Sequence, residues 1–281
     1  MPKHRTLSYW GGKGKPMIHN WIIQHLPSDT HCTYVEPFAG MCSILLGRSQ
    51  CSIEIINDLD ANVATWWTVI RDNPEELSYY INNTPHCRMT FHQAYEGLDK
   101  GVFDDAPIMR AWAVYVVLQH GITHSFKKNA YAPTYTMSHR LYNERFTQHI
   151  PKLSKRMANV QIQNRTATAV LQDTQDIENV LVYCDPPYHG KNKITGRQTT
   201  VDKYNHPEID LDLMTDLLQS QRGKVAISGY AGAWDHLGWK CYTLEATVVT
   251  GGGGKREKEG LPRTESLWVN YQGEQQMALN F

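Results

Sequence analysis

An apolar run, Asn179-Val180-Leu181-Val182-Tyr183-Cys184, ends abruptly in Asp185-Pro186-Pro187-Tyr188. The run has the length and content of a buried strand. Two consecutive prolines cannot continue a strand, so the chain must turn at once. A carboxylate, a proline-borne carbonyl and an aromatic ring are thereby gathered at a strand's carboxyl end, where open α/β sheets bind their ligands. An amino group on a flat ring needs two acceptors for its hydrogens and a ring to stack on, and these four residues offer all three.

The remainder of the chain reads as the sheet that such a strand requires. Residues 1–70 are α/β, with strands over 32–36 and 52–56, a helix between them from about Ser43, and a helix over 62–71 closed by Asp72-Asn73-Pro74. Residues 156–281 return to α/β, with strands over 160–163, 180–184, 224–228, 241–249 and 266–271 and a helix over 211–219. Strands alternating with helices imply a largely parallel sheet, and the last two strands imply an antiparallel hairpin at one edge. Between these parts, residues 72–155 are rich in His, Tyr, Asn and Arg and poor in strand alternation. They read as a helical insertion, its best helix over 107–120, followed by a long exposed loop over 121–137. The expected division is therefore 1–71 with 156–281 as one domain and 72–155 as an insertion.

A second motif, Tyr34-Val35-Glu36-Pro37-Phe38-Ala39-Gly40, takes a strand into a small-residue turn, where Gly40 allows close backbone approach by a ligand. About twenty residues on, Ile55-Ile56-Asn57-Asp58 ends a strand in an acid, the spacing of a ribose-binding carboxylate. Near the start, Tyr9-Trp10-Gly11-Gly12-Lys13-Gly14-Lys15 suggests a phosphate loop, but Lys15 is followed by Pro16 instead of Ser or Thr. Gly251-Gly252-Gly253-Gly254-Lys255 fails the same pattern because Arg256 follows.

Bulk properties exclude several classes. Formal net charge is zero, so a nucleic-acid reader must rely on local basic patches. The six cysteines include no CxxC pair, which speaks against zinc and against a disulfide framework. The thirteen histidines form no metal-ligand pattern, so no metal is expected. No apolar run reaches the ~18 residues of a membrane span, and the N-terminus lacks the apolar stretch of a signal peptide. A cytoplasmic protein is expected.

Tyr9-Trp10-Gly11-Gly12-Lys13, Glu36-Pro37-Phe38-Ala39-Gly40 and Asp185-Pro186-Pro187-Tyr188, in that order, resemble the Dam-type (class alpha, D12) N6-adenine DNA methyltransferases, which include phage-encoded members. The likeness continues at Lys224-Val225-Ala226-Ile227-Ser228-Gly229-Tyr230 and at Arg263-Thr264-Glu265-Ser266-Leu267-Trp268-Val269-Asn270-Tyr271. It implies a Rossmann-like class I methyltransferase sheet, mostly parallel with an antiparallel edge hairpin, plus a mainly helical target-recognition insertion. It also implies S-adenosylmethionine (S-adenosyl-L-methionine) as cofactor. By position, Tyr9, Trp10, Gly11, Gly12 and Lys13 would border the methionine end of the cofactor and the catalytic pocket. Glu36, Pro37, Phe38, Ala39, Gly40 and Ser43 would form the cofactor loop, and Asp58 would hold the ribose hydroxyls. Asn164 stands where the family often has an Asp against the cofactor's adenine, and Cys42 where many members have Gly.

For an adenine substrate, Asp185 would accept one N6 hydrogen, the Pro186 carbonyl the other, and Tyr188 would stack on a base flipped out of the duplex. Asp185 would also border the cofactor. Lys127, Lys128, Asn129 and Tyr131, with Lys191, Lys193 and Arg197 in the loop after the catalytic motif, suit phosphate and base-edge contacts on double-stranded DNA. No obligate protein partner is evident, and no residue pattern reveals the recognition sequence or a restriction-modification partner. The rivals are an RNA adenine methyltransferase and a DNA-binding homologue without catalysis.

Overall fold

The computed structural model describes residues 6–9, 13–14, 16–133, 139–188, 209–248 and 261–272. Trp10, Gly11, Gly12, Lys191, Lys193 and Arg197 lie outside the described residues. The described strands are β1 (Thr33–Glu36), β2 (Ile53–Asn57), β3 (Val160–Gln163), β4 (Val180–Cys184), β5 (Lys224–Tyr230), β6 (Lys240–Val248) and β7 (Leu261–Val269). They form one sheet in the order β3-β2-β1-β4-β5-β7-β6. Pairing is parallel from β3 through β5, whereas β7 runs antiparallel to both β5 and β6. The expected hairpin is present, with the last strand inserted beside β5 so that β6 forms the edge.

Side chains of successive strand residues point to opposite faces, and β4 shows it directly. Leu181 and Tyr183 join one core, while Val180, Val182 and Cys184 join the other. The second core is covered by α9 (Ala167–Thr174) and α10 (Leu211–Gln219), whose first turns are closed by Thr166 and Asp210 accepting backbone N–H groups of Ala169 and Leu213. The first core receives α1 (Pro16–His25), α2 (Ser43–Gly47) and α3 (Ala61–Asp72), the last capped by Asp60 accepting Asn62 N–H at 2.9 Å. Trp66 and Trp67 of α3 are completely buried there.

The helical layer over 72–155 contains α4 (Pro74–Asn82), α5 (Arg88–Asp99), α6 (Pro107–His120), α7 (His139–Thr147) and α8 (Ile150–Met157). Helix α6 buries Ala111, every residue from Ala113 to Leu118, and His120. A helix apolar nearly all round must sit inside the protein, and these residues belong to the same hydrophobic cluster as Tyr34, Ile56 and Leu181 of the sheet. This layer packs on α3 through α6 and α8. Arg156 of α8, one residue past the expected boundary at 155, binds both carboxylate oxygens of Glu54 in β2 and the Leu45 carbonyl.

Candidate active site

The strand order reverses between β1 and β4, so the chains leaving their carboxyl ends diverge and open a crevice. Register sets Val35 beside Val182 and Cys184 beside Ile227. The Glu36 turn, Asp185 and Ser228 are therefore neighbours across three strands.

Asp185 is 17% exposed and its Oδ1 is held from two sides. Lys13 Nζ approaches to 3.1 Å and Ser228 Oγ donates at 3.0 Å. Among the described residues no hydrogen bond reaches Oδ2. Burial raises the Asp185 pKa above the ordinary carboxylate value. Lys13 opposes that shift and Glu265 adds to it. The Lys13 ammonium, 4% exposed, also reaches Glu265 Oε1 at 2.7 Å and donates to the Tyr188 hydroxyl at 2.5 Å. Tyr188 in turn donates to Glu265 at 2.6 Å. Its ring has the ammonium 4.3 Å from its centroid, toward the hydroxyl end, and meets Tyr230 edge-on at 4.7 Å.

The structure thus joins Lys13, Asp185 and Tyr188, three of the residues singled out in the sequence, and adds Glu265 and Ser228. Both additions lie in the motif runs at 263–271 and 224–230, but neither stands out by residue type within a strand.

The β1 turn is held by its own buried carboxylates. Glu36 is buried, and its Oε1 accepts the Tyr34 hydroxyl at 2.6 Å and the Leu45 N–H at 2.7 Å. Burial pushes its pKa up to about 7. Its carboxylate ties the turn to the start of α2. Gly40 sits at φ 47°, with the Tyr9 ring 3.5 Å from where a Cβ would lie. Asp58 supports this turn from β2, with Oδ2 accepting Gly40 N–H and Oδ1 accepting Asp60 N–H, both at 2.9 Å. Each oxygen keeps a further lone pair. Burial, with Asp60 nearby, raises the Asp58 pKa to about 7. Asn57, whose amide holds Pro37 O and Arg165 O, locks the β1 and β3 turns together. Asn164 donates its amide hydrogens to Asp58 O and Leu59 O, so its oxygen is the end left to meet an adenine amino group.

These residues fit S-adenosylmethionine. A carboxylate with open lone pairs ends β2, an exposed amide oxygen ends β3, and a turn with no Cβ at Gly40 lies between β1 and α2. Ser43 is the first residue of that helix. Among the described residues, no group of His, Cys, Asp and Glu could hold a metal, and no helix is long and apolar enough to cross a membrane.

Tyr9 also links this turn to the loop over 121–133. Its ring lies 5.3 Å from that of Phe126, which is buried beneath the exposed Lys127 and Lys128. The Asn129 amide donates to Val117 O and Ser125 O and accepts from Thr123 and Ala130 N–H, so in this structure it shapes the loop. Tyr131 packs on His86 and Phe91, with its hydroxyl toward the His86 carbonyl, and serves the same loop.

A structure comparison gives a SAM-dependent methyltransferase from Agrobacterium tumefaciens, 11% identical, covering 91% of this chain and 61% of that chain at a TM-score of 0.38. The present chain therefore spans less than two thirds of that neighbour. No curated protein matches by sequence. The sequence model of one family aligns with residues 9–236, from the tyrosine over the Gly40 turn to beyond β5. That span takes in the crevice, Lys13 and Asp185, and the chain belongs to the D12 class N6 adenine-specific DNA methyltransferase family.

Proposed function

We propose that this chain transfers a methyl group from S-adenosylmethionine to the N6 amino group of adenine in double-stranded DNA. The observation that carries the proposal is the state of Asp185, with one oxygen fixed by Lys13 and Ser228 and the other without a hydrogen bond among the described residues. S-adenosylmethionine supplies an electrophilic methyl group on its sulfonium.

The chain's own work is orientation. Asp58 would hold the ribose hydroxyls on its remaining lone pairs, and the Gly40 turn would let the cofactor lie close to the backbone. Asp185 Oδ2 and the Pro186 carbonyl would each accept one N6 hydrogen. Those two bonds draw the amino nitrogen toward tetrahedral geometry and aim its lone pair at the methyl carbon. Transfer would form the N–C bond as the sulfonium C–S bond breaks and the thioether leaves, giving a cationic nitrogen. Its proton is then acidic enough for Asp185 to accept. Positioning and fixed charge account for most of such a rate.

The helical layer over 72–155 would be the part that reads DNA, with Lys127 and Lys128 on phosphates. Lys191, Lys193 and Arg197 are proposed for the same backbone. A base inside a duplex must leave the stack to reach Asp185. Such an enzyme works where DNA is, which fits a cytoplasmic protein.

The test is incubation of unmethylated duplex DNA with methyl-labelled S-adenosylmethionine, then nucleoside analysis. Labelled N6-methyldeoxyadenosine supports the proposal. Label found only in parallel RNA reactions, or in neither nucleic acid, would overturn it.

A further inference from the structure

Glu265 has no role in the transfer as described so far, yet it is completely buried in β7, opposite Tyr230 in the β5 register. Burying a second carboxylate beside Asp185 is costly unless a cation and hydrogen bonds compensate. Both are present on one oxygen, where Oε1 takes Lys13 Nζ at 2.7 Å and the Tyr188 hydroxyl at 2.6 Å. One ammonium therefore serves two carboxylates, and it stands closer to Glu265 than to Asp185. A lysine paired with Asp185 alone could swing toward either of its oxygens. The second anchor removes that freedom.

We propose that Glu265 is a positioning residue of the methyl-transfer site: it fixes the Lys13 ammonium on the Oδ1 side of Asp185 and fixes the Tyr188 ring by its hydroxyl, so that Oδ2 and the ring keep the placement an adenine requires. The inference rests on the methyltransferase reading above. The groups facing Asp185 are Lys13 from the N-terminal segment, Glu265 from β7, Ser228 from β5, and Tyr183, Cys184 and Tyr188 from its own segment. Glu265 and Lys13 carry the opposing charges of this set. Removing Glu265 leaves Lys13 to Asp185 and removes a like charge, so Asp185 should hold its proton less tightly. Removing Lys13 should do the opposite.

The experiment measures kcat, KM for DNA, S-adenosylmethionine affinity and the pH profile of kcat in the full-length chain, wild type and variants. Glu265→Gln keeps an acceptor for Lys13 and Tyr188 but not the charge. It should lower kcat about 10- to 100-fold, leave cofactor affinity unchanged, and move the acid limb of kcat to lower pH. Lys13→Met should move that limb to higher pH. Glu265→Asp keeps the charge on a shorter arm, so it should lower kcat with a smaller shift of the limb. A Glu265→Gln enzyme with wild-type kcat and an unmoved acid limb overturns the proposal. So does one that loses rate only in step with its unfolding temperature, with the limb unmoved. A wild-type chain that transfers no methyl group to DNA overturns the methyltransferase reading itself, and this proposal with it.

Discussion

Asp185→Asn isolates the charge of the acceptor from its shape. An asparagine can place its oxygen where Oδ1 now lies and keep both the Lys13 contact at 3.1 Å and the Ser228 hydrogen bond at 3.0 Å. Its amide nitrogen then occupies the Oδ2 position and presents hydrogens to an amino group that also presents hydrogens. One charge-assisted acceptor becomes a donor facing a donor. Loss of one preorganised polar group of this kind typically lowers turnover about 10²–10³-fold, or about 3–4 kcal/mol of transition-state stabilisation. No S-adenosylmethionine contact assigned to Asp58 or the Gly40 turn changes, so the cofactor Kd should stay within about threefold, a difference under about 1 kcal/mol.

Stability should move the other way. The folded-state pKa of Asp185 lies above its unfolded value, so the stability this group contributes is present at low pH and is lost as pH rises through the folded value. At neutral pH the ionised carboxylate therefore weighs against the native state. The asparagine variant should unfold at a temperature no lower than wild type. Single-turnover methyl transfer, calorimetric titration of S-adenosylmethionine and thermal unfolding read the three quantities. A variant turning over within tenfold of wild type, by the same order-of-magnitude scale, would refute the role given to Oδ2.

Asp58→Ala removes a carboxylate bonded to Gly40 and Asp60 N–H, and should weaken S-adenosylmethionine binding about 10- to 100-fold in a calorimetric titration. Because its pKa is raised to about 7, wild-type cofactor affinity should fall as the pH drops below that value, and the alanine variant should lose this dependence. Arg156→Met leaves Glu54 buried without its cation and should cost about 3–5 kcal/mol in urea unfolding. Replacing Lys127 and Lys128 together with Ala should flatten the salt dependence of DNA binding by a slope of about 2 while sparing cofactor binding.

The strands and the Asp185 turn were legible because a continuous apolar run ending in two prolines has few other readings. The helix over 107–120 was legible for a similar reason, since Ile108, Ala111, Trp112, Tyr115 and Val116 form one apolar stripe at helical spacing. Helix α1 was less so. It buries His19 between Ile18 and Ile22, which blurs its apolar stripe. Helix α5 buries only Thr90, Phe91, Ala94 and Gly97 of its twelve residues, too few apolar positions to reveal a face.

Glu265 was not legible because both faces of its strand are buried, Leu267 and Val269 on its own side and Ser266 and Trp268 on the other, so alternation marks no inward face. The use of Asn129 within its loop was not legible, since only the folded loop shows its amide bridging four backbone groups. Glu36 likewise shows its partners, Tyr34 and Leu45, only once α2 is in place.

Base-resolved mapping of methylation reads both the atom modified and the residue that enables its modification. Genomic DNA lacking adenine methylation would be treated in vitro with the full-length chain and S-adenosylmethionine, beside the Asp185→Ala variant. The expected result is N6-methyladenine in the wild-type reaction and none with the variant. Methyl groups on cytosine, or methyladenine undiminished in the variant, would contradict both the assigned atom and the residue that holds it.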